Sequence, residues 1–224
     1  MDNKRKLISK YNPKSPISEQ YRTIRTNIQF AGVDREIRTI MVTSSNPGVG
    51  KSTTAANLAV VFSQQGKRTL LVDADMRKPT VHYTFNLNNT IGLTNVLTRK
   101  MELMEAVNIT DDKNLFVLPS GPIPPNPAEL LGSKRMKDTM EDIQKEFDIV
   151  IMDTPPVLAV TDAQIIANYC DGTVLVVSSG NTEIDNAQKA KEVLSNTSTK
   201  LLGAVLNQKK VNKENQYYYY YGNN

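Results

Sequence analysis

Apolar strands alternating with helices along most of a 224-residue chain predict an α/β fold, with a mainly parallel central sheet and helices on both faces. Two observations carry that reading. Short apolar runs recur at 38–44, 68–73, 115–118, 147–152, 174–177 and 201–206, and helical segments near 51–65, 133–146, 162–169 and 183–195 lie between most of them. Three of the runs also end in chemistry: Ser44-Ser45-Asn46-Pro47-Gly48-Val49-Gly50-Lys51-Ser52 after the first, Asp73 and Asp75 after the second, and Asp153 after the fourth. Right-handed crossovers bring parallel strand tips to one side of a sheet, which is where ligands of open α/β sheets bind.

The elements follow in order. Residues 1–17 contain Pro13 and Pro16 among scattered charges and read as an extended lead-in. Ser18 is the expected N-cap of a helix from about Glu19 to Phe30, with Glu19 in the first turn and Tyr21, Ile24 and Ile28 as the apolar stripe. After the strand 38–44, an amphipathic helix opening at Gly50-Lys51 carries Ala55, Leu58, Ala59 and Phe62 and stops at Gly66. The folded domain is expected over 18–207, and the polar, aperiodic stretch 208–224 reads as a flexible tail ending in Tyr217-Tyr218-Tyr219-Tyr220-Tyr221.

Size and composition bound the function. With 39% hydrophobic residues the chain can bury one substantial core, and no apolar run reaches the 18 residues of a membrane span. No apolar segment follows the charged start Met1-Asp2-Asn3-Lys4-Arg5-Lys6, so no signal peptide is expected. A single cysteine, Cys170, fits a reducing cytosol and reads as a small packed hydrophobe. Residues 1–38 hold nine Lys/Arg against four Asp/Glu. That basic arm carries no base-reading motif, so no nucleic-acid partner is expected. The one histidine, His82, has no Cys or His beside it and is not expected to bind metal.

The strand-tip motifs fit together chemically. Gly48 and Gly50 let successive N–H groups turn toward phosphates, Lys51 neutralises β/γ charge, and the Ser52 hydroxyl can ligate Mg²⁺. The strict phosphate-loop pattern has glycine where Ser45 stands, but the strand before and helix after meet its mechanical demands. Asp73 and Asp75 alternate at a strand end and project to one side, one able to help hold a cation and the other to accept a hydroxyl proton. Asp153 ends the apolar run 149–152 as an acid suited to Mg²⁺ through water. Arg77 suits either phosphate orientation or a structural ion pair.

These motifs, a Walker A, a second acidic motif of the form Asp-x-Asp-x-Arg and a Walker B, resemble those of the bacterial tyrosine kinases. So do Gly92-Leu93, Leu118-Pro119-Ser120-Gly121, Pro124-Pro125-Asn126-Pro127 with Glu129-Leu130-Leu131, Asp153-Thr154-Pro155-Pro156 and Gly203-Ala204-Val205-Leu206-Asn207. The resemblance spans roughly residues 10–221 and implies the deviant-Walker, ParA/MinD-like P-loop NTPase fold. It implies ATP and Mg²⁺ held by Pro47, Gly48, Val49, Gly50, Lys51, Ser52 and Thr53, with Asn207 toward the adenine. Lys51, Asp73, Asp75 and Asp153 become the catalytic set, with Ser52, Asp75 and Asp153 near the metal.

Glu19, Arg22 and Arg25 match the Glu-x₂-Arg-x₂-Arg motif through which the family's subunits form rings, and Tyr217–Tyr221 match its autophosphorylation cluster. The tail's 17 residues can extend about 55–60 Å, far enough to reach a neighbouring subunit. The resemblance further implies a separate transmembrane modulator or polysaccharide co-polymerase, a cognate tyrosine phosphatase and other tyrosine-phosphorylated substrates. With these come a cytoplasmic protein recruited to the inner face of the membrane and a role in capsular or extracellular polysaccharide synthesis. The competing reading is a ParA/MinD-type ATPase switch. Those proteins carry an extra lysine early in the phosphate loop, where this chain has Asn46.

Overall fold

The computed structural model describes residues 7–32 and 36–210. Along the chain run α1 (Ile8–Tyr11), α2 (Pro16–Ala31), β1 (Thr39–Ser44), α3 (Lys51–Ser63), β2 (Thr69–Asp73), α4 (Val81–Phe85), α5 (Leu93–Leu97), α6 (Leu103–Ala106) and β3 (Asn108–Ile109). They are followed by β4 (Leu115–Leu118), α7 (Pro127–Leu131), α8 (Lys134–Glu146), β5 (Ile149–Asp153), α9 (Asp162–Ala167), β6 (Gly172–Ser178), α10 (Ile184–Ser195) and β7 (Lys200–Asn207). The sheet order is β3-β4-β2-β5-β1-β6-β7, parallel throughout except for the short antiparallel edge strand β3. The six expected runs are thus the six parallel strands. β3, only two residues long, lies below what an apolar pattern reveals.

Side chains alternate between two cores. Ile40, Val42, Leu71, Ile149 and Ile151 join α2, α3 and Val81 of α4 on one face. Met41, Leu70, Val72, Val150 and Met152 join α5, α6, α8, α9 and α10 on the other. With both faces covered, every residue of β1, β2 and β5 is buried, as a parallel sheet requires.

Three expectations need correction. Ser15, not Ser18, caps α2: its side chain accepts the Ser18 N–H, and Pro16 occupies the first turn where a missing N–H costs nothing. Ser18 instead turns inward, its hydroxyl donating to the Asn12 carbonyl at 2.6 Å and the Ile8 carbonyl at 3.1 Å. The supposed extended lead-in therefore contains a helix, α1, which is pinned further by the Ser9 N–H donating to Asn57 Oδ1 at 2.9 Å. Third, α3 is not amphipathic. Residues Thr54 through Ser63 are all buried, because α1 and α2 cover the side that would otherwise meet solvent.

Candidate nucleotide and phosphoryl-transfer site

β2, β5 and β1 are consecutive in the sheet, so their tips converge. Asp73 and Asp153 are register partners between β2 and β5, and Val42 of β1 pairs with Asp153 from the other side. The loop after β5 is locked onto β1 by the Thr154 hydroxyl donating to the Val42 carbonyl and the Thr43 hydroxyl donating to the Pro155 carbonyl.

The phosphate loop leaves β1 at Ser44, whose hydroxyl donates to the Asn46 carbonyl at 2.8 Å. Gly50 caps α3 with φ of 87°, the left-handed region that glycine enters without strain. A Cβ there would also fall 2.1 Å from Asn207 Nδ2, so a side chain would have to push that amide aside. Asn207, at the tip of β7, donates that amide to the Val49 carbonyl at 2.8 Å. Pro47 and Gly48 are exposed, Val49 is buried, and Ser52 and Thr53 lie half-buried in the first turn of α3. The loop's amides thus sit at a helix N-terminus, an arrangement suited to anions.

Lys51 reaches back from α3 into the carboxylates. Its Nζ donates to Asp153 Oδ1 at 2.5 Å, stands 3.9 Å from Asp75 Oδ2, and meets Ser52 Oγ at 3.3 Å. Asp73 is fully buried, and its Oδ2 accepts the Thr80 and Val81 N–H groups, each at 2.9 Å. Burial foremost, then the neighbouring Asp153 charge, raises the Asp73 carboxyl to about 7. Asp75 is also raised, chiefly by burial, although Lys51 and the Lys78 N–H oppose the shift.

Two buried carboxylate oxygens, Asp73 Oδ1 and Asp153 Oδ2, have no hydrogen-bond partner among the described residues. A hydrated hard cation would satisfy such oxygens. Among the described residues no group of three or more His, Cys, Asp or Glu forms a closed metal cage. The donor set here is instead one hydroxyl and a few carboxylates. Mg²⁺ takes few protein ligands, keeps several waters and leans on substrate phosphates, so the residues fit it.

The remaining candidates divide. Arg77 makes a bidentate pair with the buried Asp162 at 2.9 and 3.0 Å, which gives it the structural role of its two expected ones. On α2, Glu19 and Arg22 pair within the helix at 2.6 Å, while Arg25 donates to the Val61 carbonyl at 2.7 Å near the end of α3. Cys170 packs against a core, its thiol raised by burial. His82 is buried in α4 against Tyr83. Tyr217–Tyr221 lie outside the described residues. Gly92, singled out only as a family-like residue, meets the 119–121 loop so closely that a Cβ would fall 2.1 Å from the Pro119 carbonyl oxygen.

Sequence reasoning passed over two residues beside the site. Thr80 donates its hydroxyl to Ser52 Oγ at 3.1 Å, and Gln208 Oε1 accepts from the Ser178 hydroxyl at 2.5 Å, just past the expected domain end. Neither lies in a recognisable local pattern. Each is found only through a partner distant in sequence.

A phosphate loop on β1 with opposed carboxylates on β2 and β5 defines a P-loop nucleotide-binding protein. The AAA domain family model matches residues 37–185. The tyrosine-protein kinase YwqD of Bacillus subtilis (strain 168) is 60% identical over 216 residues, covering 96% of this chain and 91% of that protein. A putative tyrosine-protein kinase, CapB of Staphylococcus aureus, is 42% identical over 210 residues, covering 94% and 92% respectively. The crystal structure of the chimerical protein CapA2B2 superposes with a TM-score of 0.89 at 47% identity, covering 92% of this chain and 90% of that one. The chain belongs to the bacterial tyrosine kinase family, and it is a protein-tyrosine kinase.

Proposed function

We propose that the chain binds ATP with Mg²⁺ and phosphorylates Tyr217–Tyr221 of a neighbouring copy within a homo-oligomeric ring, and that this cycle regulates capsular or extracellular polysaccharide synthesis. The observation that carries the catalytic part is the tip-to-tip pairing of Asp73 with Asp153, with Lys51 bonded to Asp153 and close to Asp75.

A tyrosine hydroxyl, with a pKa near 10, keeps its proton at neutral pH. Asp73, raised to about 7, is partly ionised there and can take that proton as the phenolic oxygen attacks the γ-phosphorus. A new P–O bond forms to the tyrosine oxygen, the bond to the β-phosphate oxygen breaks, and ADP leaves with its electron pair. Lys51 and the loop N–H groups from Gly48 to Thr53 neutralise charge on the transferring group, while Pro47, which has no N–H, shapes the loop. Ser52, Asp75 and Asp153 would hold Mg²⁺ through its waters, and the ion would supply charge neutralisation to the transferring phosphate. Asn207, whose amide donates to the Val49 carbonyl, is assigned to the adenine side of the nucleotide.

Ring formation is assigned to Glu19, Arg22 and Arg25. A transmembrane modulator would recruit the chain to the inner face of the membrane, since no helix among the described residues is long and apolar enough to cross one. A cognate phosphatase would reset the tail, and other proteins would serve as further substrates. No nucleic-acid partner is proposed.

The test is phosphosite mapping of wild type beside Lys51→Met, with labelled ATP and a modulator fragment present. Label on Tyr217–Tyr221, lost in Lys51→Met, is the expected result. Release of free phosphate with an unmodified tail would reduce the protein to an ATPase switch.

A further inference from the structure

We propose that Thr80 is a positioning residue, which sets the Ser52 hydroxyl for a divalent cation and couples the acidic loop to the phosphate loop. The inference rests on the cation role assigned to Ser52 above.

Thr80 occupies the N-cap of α4, yet its side chain makes no capping hydrogen bond there. A threonine at that position ordinarily accepts an N–H from the first turn of its own helix. Here the hydroxyl is directed across the site and donates to Ser52 Oγ at 3.1 Å, 28 residues earlier in the chain. Its backbone N–H meanwhile donates to Asp73 Oδ2 at 2.9 Å. One residue thus bonds both the proposed base and the proposed cation ligand.

The lone-pair inventory says what this bond accomplishes. A serine oxygen has one proton and two lone pairs. Thr80 takes one lone pair. The other faces Lys51 Nζ at 3.3 Å, the longer contact and so the easier one for a cation to replace. With Thr80 in place the Ser52 side chain cannot swing away from the site without breaking a hydrogen bond, so a donor oxygen is held ready. Partners that orient a metal ligand in this way typically change metal affinity 10–100-fold when removed.

The experiment uses the full chain and its Thr80→Val, Thr80→Ser, Thr80→Ala and Ser52→Ala variants, each checked for folding by circular dichroism. Mn²⁺ binding is read by electron paramagnetic resonance with a non-hydrolysable ATP analogue present. Affinity for a fluorescent ADP analogue is read separately in EDTA. Thr80→Val, or Thr80→Ala if the valine variant does not fold, is expected to weaken Mn²⁺ binding about tenfold while leaving metal-free nucleotide affinity unchanged, with Thr80→Ser restoring wild-type binding. Unchanged Mn²⁺ affinity in Thr80→Val beside a weakened Ser52→Ala overturns the role of Thr80 alone. Full Mn²⁺ affinity in Ser52→Ala overturns the Ser52 assignment and this proposal with it. A parallel loss of metal-free nucleotide binding, or no rescue by serine, assigns Thr80 a purely structural role.

Discussion

Asp73 sets a condition on stability that can be read without any substrate. Its folded carboxyl is raised to about 7 from 3.8, so the folded chain binds this proton more tightly than the unfolded chain does. Between those two values folding takes up a proton, and stability falls as pH rises through the window. In metal-free buffer the melting temperature of the wild type is expected to decline from pH 5 to pH 7.5 more steeply than that of Asp73→Asn, which keeps an oxygen for the Thr80 and Val81 N–H groups. Parallel curves for the two proteins would refute the assignment. Arg77 offers a second test. Removing it leaves the fully buried Asp162 without its bidentate partner, whereas the guanidinium side is 40% exposed. Arg77→Ala is therefore expected to cost about 1–3 kcal/mol in urea unfolding, with tyrosine phosphorylation retained. Lys51, Asp73, Asp75 and Asp153 were legible because glycine spacing and strand ends leave a local signature. Thr80 was not, since a threonine after Lys78-Pro79 resembles any loop residue until its distant partner is known.

At the scale of elements, α2 shows how a cap can be misplaced by a few residues. Ser15, Ser18 and Glu19 all suit a helix start, and the turn chemistry of Pro13 and Pro16 obscured which serine is used. Ser15→Ala is expected to destabilise the chain by about 1 kcal/mol by thermal or denaturant melting, the usual cost of losing a side-chain cap. No loss would mean that the Pro16 start alone suffices. The short helices α4, α5, α6 and α7 escaped prediction because four or five residues carry no period to detect. The opposite failure occurred at α3. Its Ala- and Val-rich run was read for one face when all its faces are covered, and only the packing of α1 and α2 explains why.

For the molecule as a whole, the strand order places the site over β2, β5 and β1, while the tail leaves from β7 at the opposite edge from β3. The six parallel strands were legible because a sheet buried on both faces leaves nearly continuous apolar runs. Their order was not, since it depends on packing between segments more than a hundred residues apart, as where Thr39 of β1 pairs with Val150 of β5 and Ile40 with Gly172 of β6. The ring assembly proposed for α2 yields a further expectation. The Glu19 side chain is 68% exposed, so Glu19→Ala is expected to release monomers in size-exclusion chromatography with little change in melting temperature. Phosphorylation of several tail tyrosines adds about −1.5 to −2 charges each, and incubation with MgATP is expected to disperse the oligomer likewise. An elution volume unmoved by either treatment would exclude ring assembly through this motif.

Enclosure of α3 also makes it a natural clock. Its backbone amides cannot reach heavy water until α1 and α2 have lifted away, so they are expected to be among the last in the chain to trade protium for deuterium. A ligand that slows their exchange would be reporting on the opening of the whole domain from the very segment that begins at the phosphate loop.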